Sequence, residues 1–226
     1  MDEMWNLWHG CHKKSEGCQH CYVFRRDAEF EKDSNVVTKT SSFNLPIRRD
    51  RSGNWKVPSG TLMWTSFTSD FFIEEADQWR EDAWLMILRR SDLHFFMITK
   101  RPERILQCLP EDWGDGYENV TICCTMENQR RVDERLPIYR ELPIRHKSII
   151  CEPLLESIDF HGGLGSWCEQ VTVGGSQALK PASVIMLGFL VFVSNASLLT
   201  CRSTSSRRVP TSARMAVCTI SLETSR

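Results

Sequence analysis

The stretch LHFFMITKRPERILQCL, residues 93–109, decides the fold. Its first seven residues form a nearly continuous apolar run, which suits a strand buried on both faces in a parallel sheet. Lys100-Arg101 ends that run, and Pro102 follows where the first turn of a helix tolerates proline. The segment therefore reads as a strand passing directly into a short helix over 100–109. NVTICCT (119–125) repeats the strand pattern, and Glu127 to Arg140 follows as a helix. Upstream, TLMWTS (61–66) is a strand. Glu74 to Arg90 is a helix, with Ala76, Trp79, Ala83, Ile87 and Arg90 along one side. KSIIC (147–151) and QVTVGG (170–175) add further strands. Such alternation predicts an α/β fold built on a partial, mostly parallel (β/α) barrel, with too few strands for eightfold closure.

In parallel α/β folds, chemistry collects at the carboxyl ends of strands. The polar residues at those ends are Thr65-Ser66, Thr99-Lys100-Arg101, Thr125, Glu152-Pro153 and Gly174-Gly175. They could share one rim. The plainer alternative is that Lys100-Arg101-Pro102 only begins a helix and Glu152 only caps a loop.

Ahead of the first of these strands lies WNLWHGCHKKSEGCQHCY, residues 5–22. Cys11, Cys18 and Cys21 are spaced C-x6-C-x2-C, and Gly10 and Gly17 let that loop turn so that three thiolates can converge. Three chemistries are open. An iron–sulfur cluster on three protein thiolates leaves one iron free for a ligand. Tetrahedral zinc needs a fourth ligand, for which His9, His12 and His20 are at hand. Structural or redox cysteines are the third reading. Cys123 and Cys124 are adjacent in a strand and so point to opposite faces. With Cys108, Cys151 and Cys168 they are most simply small buried side chains.

The chain has 226 residues, ten cysteines and a formal net charge of −1, which gives no support to a nucleic-acid or lipid partner. MDEMWNLW has no basic-then-apolar ramp, and the longest apolar run, Ala182 to Val193, is broken by Gly188 and too short to span a bilayer. A cytoplasmic, reducing location and no membrane association are expected.

Together, WNLWHGC…GCQHCY, LHFFMITKRPERI, NVTICCTMENQRRVDERLP, IICEPLLESIDF and VTVGG resemble a phage and bacterial family marked by a three-cysteine motif, itself distantly similar to radical S-adenosylmethionine enzymes. The resemblance runs in order over about residues 3–175. Radical enzymes most often use C-x3-C-x2-C, and this chain has three more residues between its first two cysteines. The resemblance implies that Cys11, Cys18 and Cys21 bind a four-iron cluster. Its open iron would chelate S-adenosylmethionine, whose reductive cleavage yields a 5'-deoxyadenosyl radical. It implies cofactor or substrate contacts at Thr99, Lys100, Arg101, Glu152, Gly174 and Gly175. The expected partners are a small-molecule or nucleotide-linked substrate and a partner protein. Zinc remains the alternative metal, in a structural or nucleic-acid-associated protein.

Composition breaks after VTVGG. All eight Trp and all three Tyr lie before residue 176, and after Glu169 the next acidic residue is Glu223. From 176 to 226 there are ten Ser, five Arg, one Lys and one Glu. Read one frame over, the possible codons of 176–186 are compatible with PGPEARVCDY, and those of 200–219 with VPFHFKQTGAHFRKDGRLY. That offset restores acidic and aromatic residues. The expected organisation is thus an iron–sulfur-like partial barrel over 1–175 and a frame-shifted, largely disordered tail over 176–226. A weak helix is expected at 184–199 and disorder over 200–226.

Overall fold

The computed structural model describes residues 1–175, 182–186, 189–193, 198–203 and 218–223. They fall into two compact units, Met1–Cys123 with Leu142–His146, and Cys124–Glu141 with Lys147–Arg226.

In the first unit the chain forms β1 (Asp2–Trp5), β2 (Trp8–His9), α1 (Tyr22–Glu29), β3 (Thr38–Lys39), β4 (Leu62–Thr65), α2 (Asp77–Arg89), β5 (His94–Thr99) and α3 (Pro102–Ile105). β1 pairs in parallel with β4, and β4 with β5. β6 (Val120–Thr125) begins beside β5, where the Phe95 amide donates to the Asn119 carbonyl at 2.8 Å. The apolar run at 93–99 and the helices at 74–90 and 100–109 therefore form where the sequence puts them. β1 forms in a segment that carries no continuous apolar run. Asp2, Glu3 and Met4 are exposed and only Trp5 is buried, so this edge strand is held by backbone pairing and one aromatic anchor rather than by an apolar run. β1 pairs with β4 alone, and among the described residues no barrel closes at this edge.

Aromatic rings fill this unit. Trp5 meets Phe95 at 5.4 Å between centroids, Trp8 meets Phe71 at 5.4 Å, and Phe71, Trp84 and Trp113 follow at 4.9 and 5.1 Å. Trp84 keeps its indole N–H satisfied by donating to the Cys108 carbonyl at 2.7 Å. Arg90, fully buried at the end of α2, does the same for a charge. It donates to Pro46 and Val57 carbonyls and to Asp92, and so ties the irregular 44–57 segment to the helix.

In the second unit lie α4 (Gln129–Glu141), β7 (His146–Leu154), β8 (Ile158–Asp159), β9 (Cys168–Gly175), β10 (Ala182–Met186), β11 (Phe189–Val193), β12 (Leu198–Ser203) and β13 (Cys218–Glu223). β7 and β9 are parallel, with Ile149 opposite Val171. β12 runs antiparallel to β9 and to β13, while β10 pairs antiparallel with β11 and in parallel with β8. The fold is α/β with a mostly parallel sheet. Where a helix is expected over 184–199, the described residues 184–186, 189–193 and 198–199 are strands instead, and SVIM and FLVFV are rich in the β-branched and aromatic residues that favour them. Within 200–226, residues 200–203 and 218–223 are strands, and the rest of that expectation lies outside the described residues. No helix among the described residues is long and apolar enough to cross a membrane.

Candidate metal and cofactor site

The cysteine loop is clamped at its entry. Gly10 has φ +98, and a Cβ there would lie 2.3 Å from the Val36 carbonyl oxygen, so only glycine lets the chain pass so close. The Gly10 amide donates to Thr68 O at 3.2 Å and the Cys11 amide to Ser34 O at 2.7 Å. Beyond the polar turn, Glu16–Cys18 forms a 3₁₀ turn and the Cys21 amide donates to Cys18 O at 3.3 Å, after which α1 starts at Tyr22. Cys11, Cys18 and Cys21 are half-buried free thiols on one loop. Burial and the nearby Asp70 carboxylate push the Cys11 thiol up to about 11.

Asp70 organises the floor beneath that loop. It accepts from Thr99 Oγ1 at 2.8 Å, from the Lys100 amide at 3.0 Å and from the Phe72 amide at 3.0 Å. Arg101, at the start of α3, places Nη1 3.1 Å from Asp70 Oδ2 and 4.0 Å from Cys11 Sγ, while Nη2 donates to the His12 carbonyl at 3.0 Å. Both members of this ion pair are buried. Arg101 thus reaches Cys11 with its side chain and Thr99 reaches Asp70 with its hydroxyl, whereas Lys100 contributes its backbone amide to Asp70. Sequence reasoning missed Asp70. Its signal was faint, a lone acid in SFTSDFF after a strand end.

Two further features line the same strand ends. Ser66, just after β4, has φ +63, and its buried Oγ has no hydrogen-bond partner. A serine held in the left-handed region costs on the order of 1 kcal/mol or more, and such strain concentrates at ligand sites. Near the loop, His9 Nε2 lies 2.9 Å from both Asp27 oxygens and Ser34 Oγ donates to Asp27 at 2.6 Å. Burial opposes the Asp27 charge, yet the Ser34 and His9 hydrogen bonds outweigh it and hold the carboxyl below its usual range. His12 Nε2 engages Glu75, which leaves Nδ1 open, and His20 is exposed.

Among the described residues, no three His, Cys, Asp or Glu side chains are already gathered around a metal position. The donor chemistry nonetheless fits a three-thiolate group. The thiols are unpaired, they share one loop with a fixed entry, and a buried guanidinium stands beside the first of them to offset thiolate charge.

The second unit carries Glu152, Gly174 and Gly175. Glu152 is exposed at the end of β7, and a Cβ on Gly174 would come within 2.8 Å of its Cδ, so the missing side chain leaves the carboxylate its place. Gly175 ends β9 opposite Leu154. Deeper in this unit Arg135 Nη1 lies 2.8 Å from Glu127 and donates to Thr125 O at 2.6 Å, while Arg135 Nη2 and Thr125 Oγ1 are buried without partners.

A family model described as "Protein of unknown function (DUF5131)" matches residues 1–181. The chain belongs to that family. The match thus covers the cysteine loop, Asp70, Arg101 and the strand ends of both units. No curated protein matches the chain, and no solved structure does.

Proposed function

We propose that this DUF5131 chain is an iron–sulfur enzyme of the radical S-adenosylmethionine type, with Cys11, Cys18 and Cys21 holding a four-iron cluster. The observation that carries the reading is the buried Asp70–Arg101 pair set against Cys11 at the carboxyl end of β5. An uninvolved cysteine loop has no need of a desolvated guanidinium held by a carboxylate and two strand-end donors. When bound, the cluster and S-adenosylmethionine supply one-electron bond cleavage. The protein's own residues do the rest. Arg101 offsets thiolate charge and fixes the loop through the His12 carbonyl. Thr99 and the Lys100 amide hold Asp70 in place, and Ser66 offers an unengaged hydroxyl to a ligand. In the second unit Glu152, given room by Gly174, serves with Gly174 and Gly175 as a contact to cofactor or substrate. The substrate is a small or nucleotide-linked molecule, a partner protein is expected, and the free thiols suit a reducing cytoplasm.

The composition break after residue 175 supports a frame-shifted end, so this copy is expected to be impaired relative to a frame-restored chain. Base-level sequencing of the coding region checks the frame.

Zinc is the second reading, favoured by His12, whose Glu75-bound ring has the arrangement of a histidine ready to ligate through its other nitrogen. Anaerobic reconstitution with iron and sulfide separates the two. The iron–sulfur reading predicts near four irons per chain (about the capacity of one such cluster) and a reduced-state paramagnetic signal altered by S-adenosylmethionine. Both should be absent from the C11A/C18A/C21A variant. One tightly held zinc and no cysteine-dependent cluster would establish the alternative instead.

A further inference from the structure

A cavity of about 410 Å³ is lined by residues of α1 and by the segments carrying Asn6, Thr40 and Thr68. Its volume lies in the range of small-molecule sites. Two exposed cations border it, Arg26 on α1 and Lys32 just beyond, and neither makes an ion pair among the described residues. The one carboxylate in the lining, Asp27, is hydrogen-bonded by His9 and Ser34 and also interacts with the Lys32 charge, so two cations face a single carboxylate. Two aromatic rings also border it. Tyr22 is half exposed, with its hydroxyl donating to the Phe67 carbonyl at 2.5 Å, and Phe30 is 64% exposed where α1 ends. The Phe30 ring thus stands exposed beside these two cations. Guanidinium and ammonium groups bind phosphate, and aromatic faces stack on bases of any sequence.

We propose that this cavity binds a nucleoside monophosphate, with the phosphate on Arg26 and Lys32 and the base against Tyr22 and Phe30. The site uses none of the three cysteines and does not rest on the cluster reading.

Calorimetric titration of the full, unreconstituted chain tests it, with AMP, adenosine and inorganic phosphate as probes. AMP is expected to bind at least ~10-fold tighter than either half alone, since each half engages only one kind of contact. In the R26A/K32A chain AMP affinity falls ~10-fold or more while adenosine is unchanged, because only the charge contacts are lost. In the F30A chain AMP and adenosine weaken together and phosphate does not. The C11A/C18A/C21A chain keeps AMP binding. All substituted cavity residues are exposed, and circular dichroism confirms that each variant is folded. AMP binding no tighter than phosphate overturns the proposal. So does affinity unchanged in R26A/K32A, or AMP binding that disappears with the three cysteines.

Discussion

Asp70 is buried, and Thr99, the Lys100 and Phe72 amides and Arg101 surround its carboxylate. Removing one partner of such a pair leaves a buried charge without compensation. Arg101→Ala is therefore expected to lower unfolding free energy by about 3–5 kcal/mol, measured by urea denaturation, and to reduce iron incorporation as well. A loss below about 1 kcal/mol would mean that the pair is wet and that the charge argument for the site is wrong. Gly10→Ala combines a left-handed φ with a clash against the Val36 backbone, which cannot swing aside. It should cost more than the ~1 kcal/mol of an ordinary strained position. Gly174→Ala should behave differently. Its obstacle is the side chain of exposed Glu152, which can rotate away. Stability should stay within ~1 kcal/mol, and any functional loss should then be reproduced by Glu152→Ala.

At the scale of elements, α2 is anchored twice. Trp84 packs against Phe71 and Trp113 and donates to Cys108 O, so Trp84→Ala should cost about 3–5 kcal/mol by urea denaturation. The Arg90–Asp92 contact at the other end makes an acid-sensitive tie. Hydrogen bonds from Arg90, against a smaller cost of burial, hold the Asp92 carboxyl well below the usual range. Because the folded value is depressed, this contribution is full above the unfolded carboxylate pKa of about 4 and is lost as pH falls through the folded value. Asp92→Asn should lower stability at pH 7 and flatten the acid limb between about pH 4 and pH 2 in a series of urea titrations. The same elements show what a sequence can and cannot say. β5 was legible because seven nearly apolar residues allow little else. β1 was not, because three of its four residues face solvent and its partner lies sixty residues away in β4. The cysteine loop was legible from spacing alone. Asp70 was not, since its partners at 99–101 are brought to it only by the pairing of β4 with β5. The composition of the tail was legible, but not its strands, because a pattern without clear period does not distinguish a weak helix from paired strands.

For the molecule as a whole, the cysteines whose surroundings are described fall into two sets. Burial pushes Cys168 up to about 12 and raises Cys151 and Cys108 as well. Cys123 and Cys124 are also buried. Alkylation of the folded chain at pH 8, followed by mass spectrometry, should label Cys18 and Cys21 first and leave the buried set unlabelled until the chain unfolds. Early labelling of Cys151 would show that the second unit opens locally.

The first unit is also discontinuous in the chain. Trp113 donates its indole N–H to the Pro143 carbonyl at 2.6 Å, and a Cβ on Gly116 would touch the Arg145 amide nitrogen at 2.6 Å. The residues that complete the unit bearing the cysteine loop thus follow α4, which belongs to the other unit. On the ribosome, a nascent chain that has emerged only to residue 123 lacks the acceptor for Trp113, and at some 5–20 residues per second the wait lasts about one to several seconds. Metal delivered during that interval meets an unfinished platform. If the proposed cluster is loaded there, loading is expected to follow release of the segment through residue 146, and the order of synthesis becomes part of how the site is assembled.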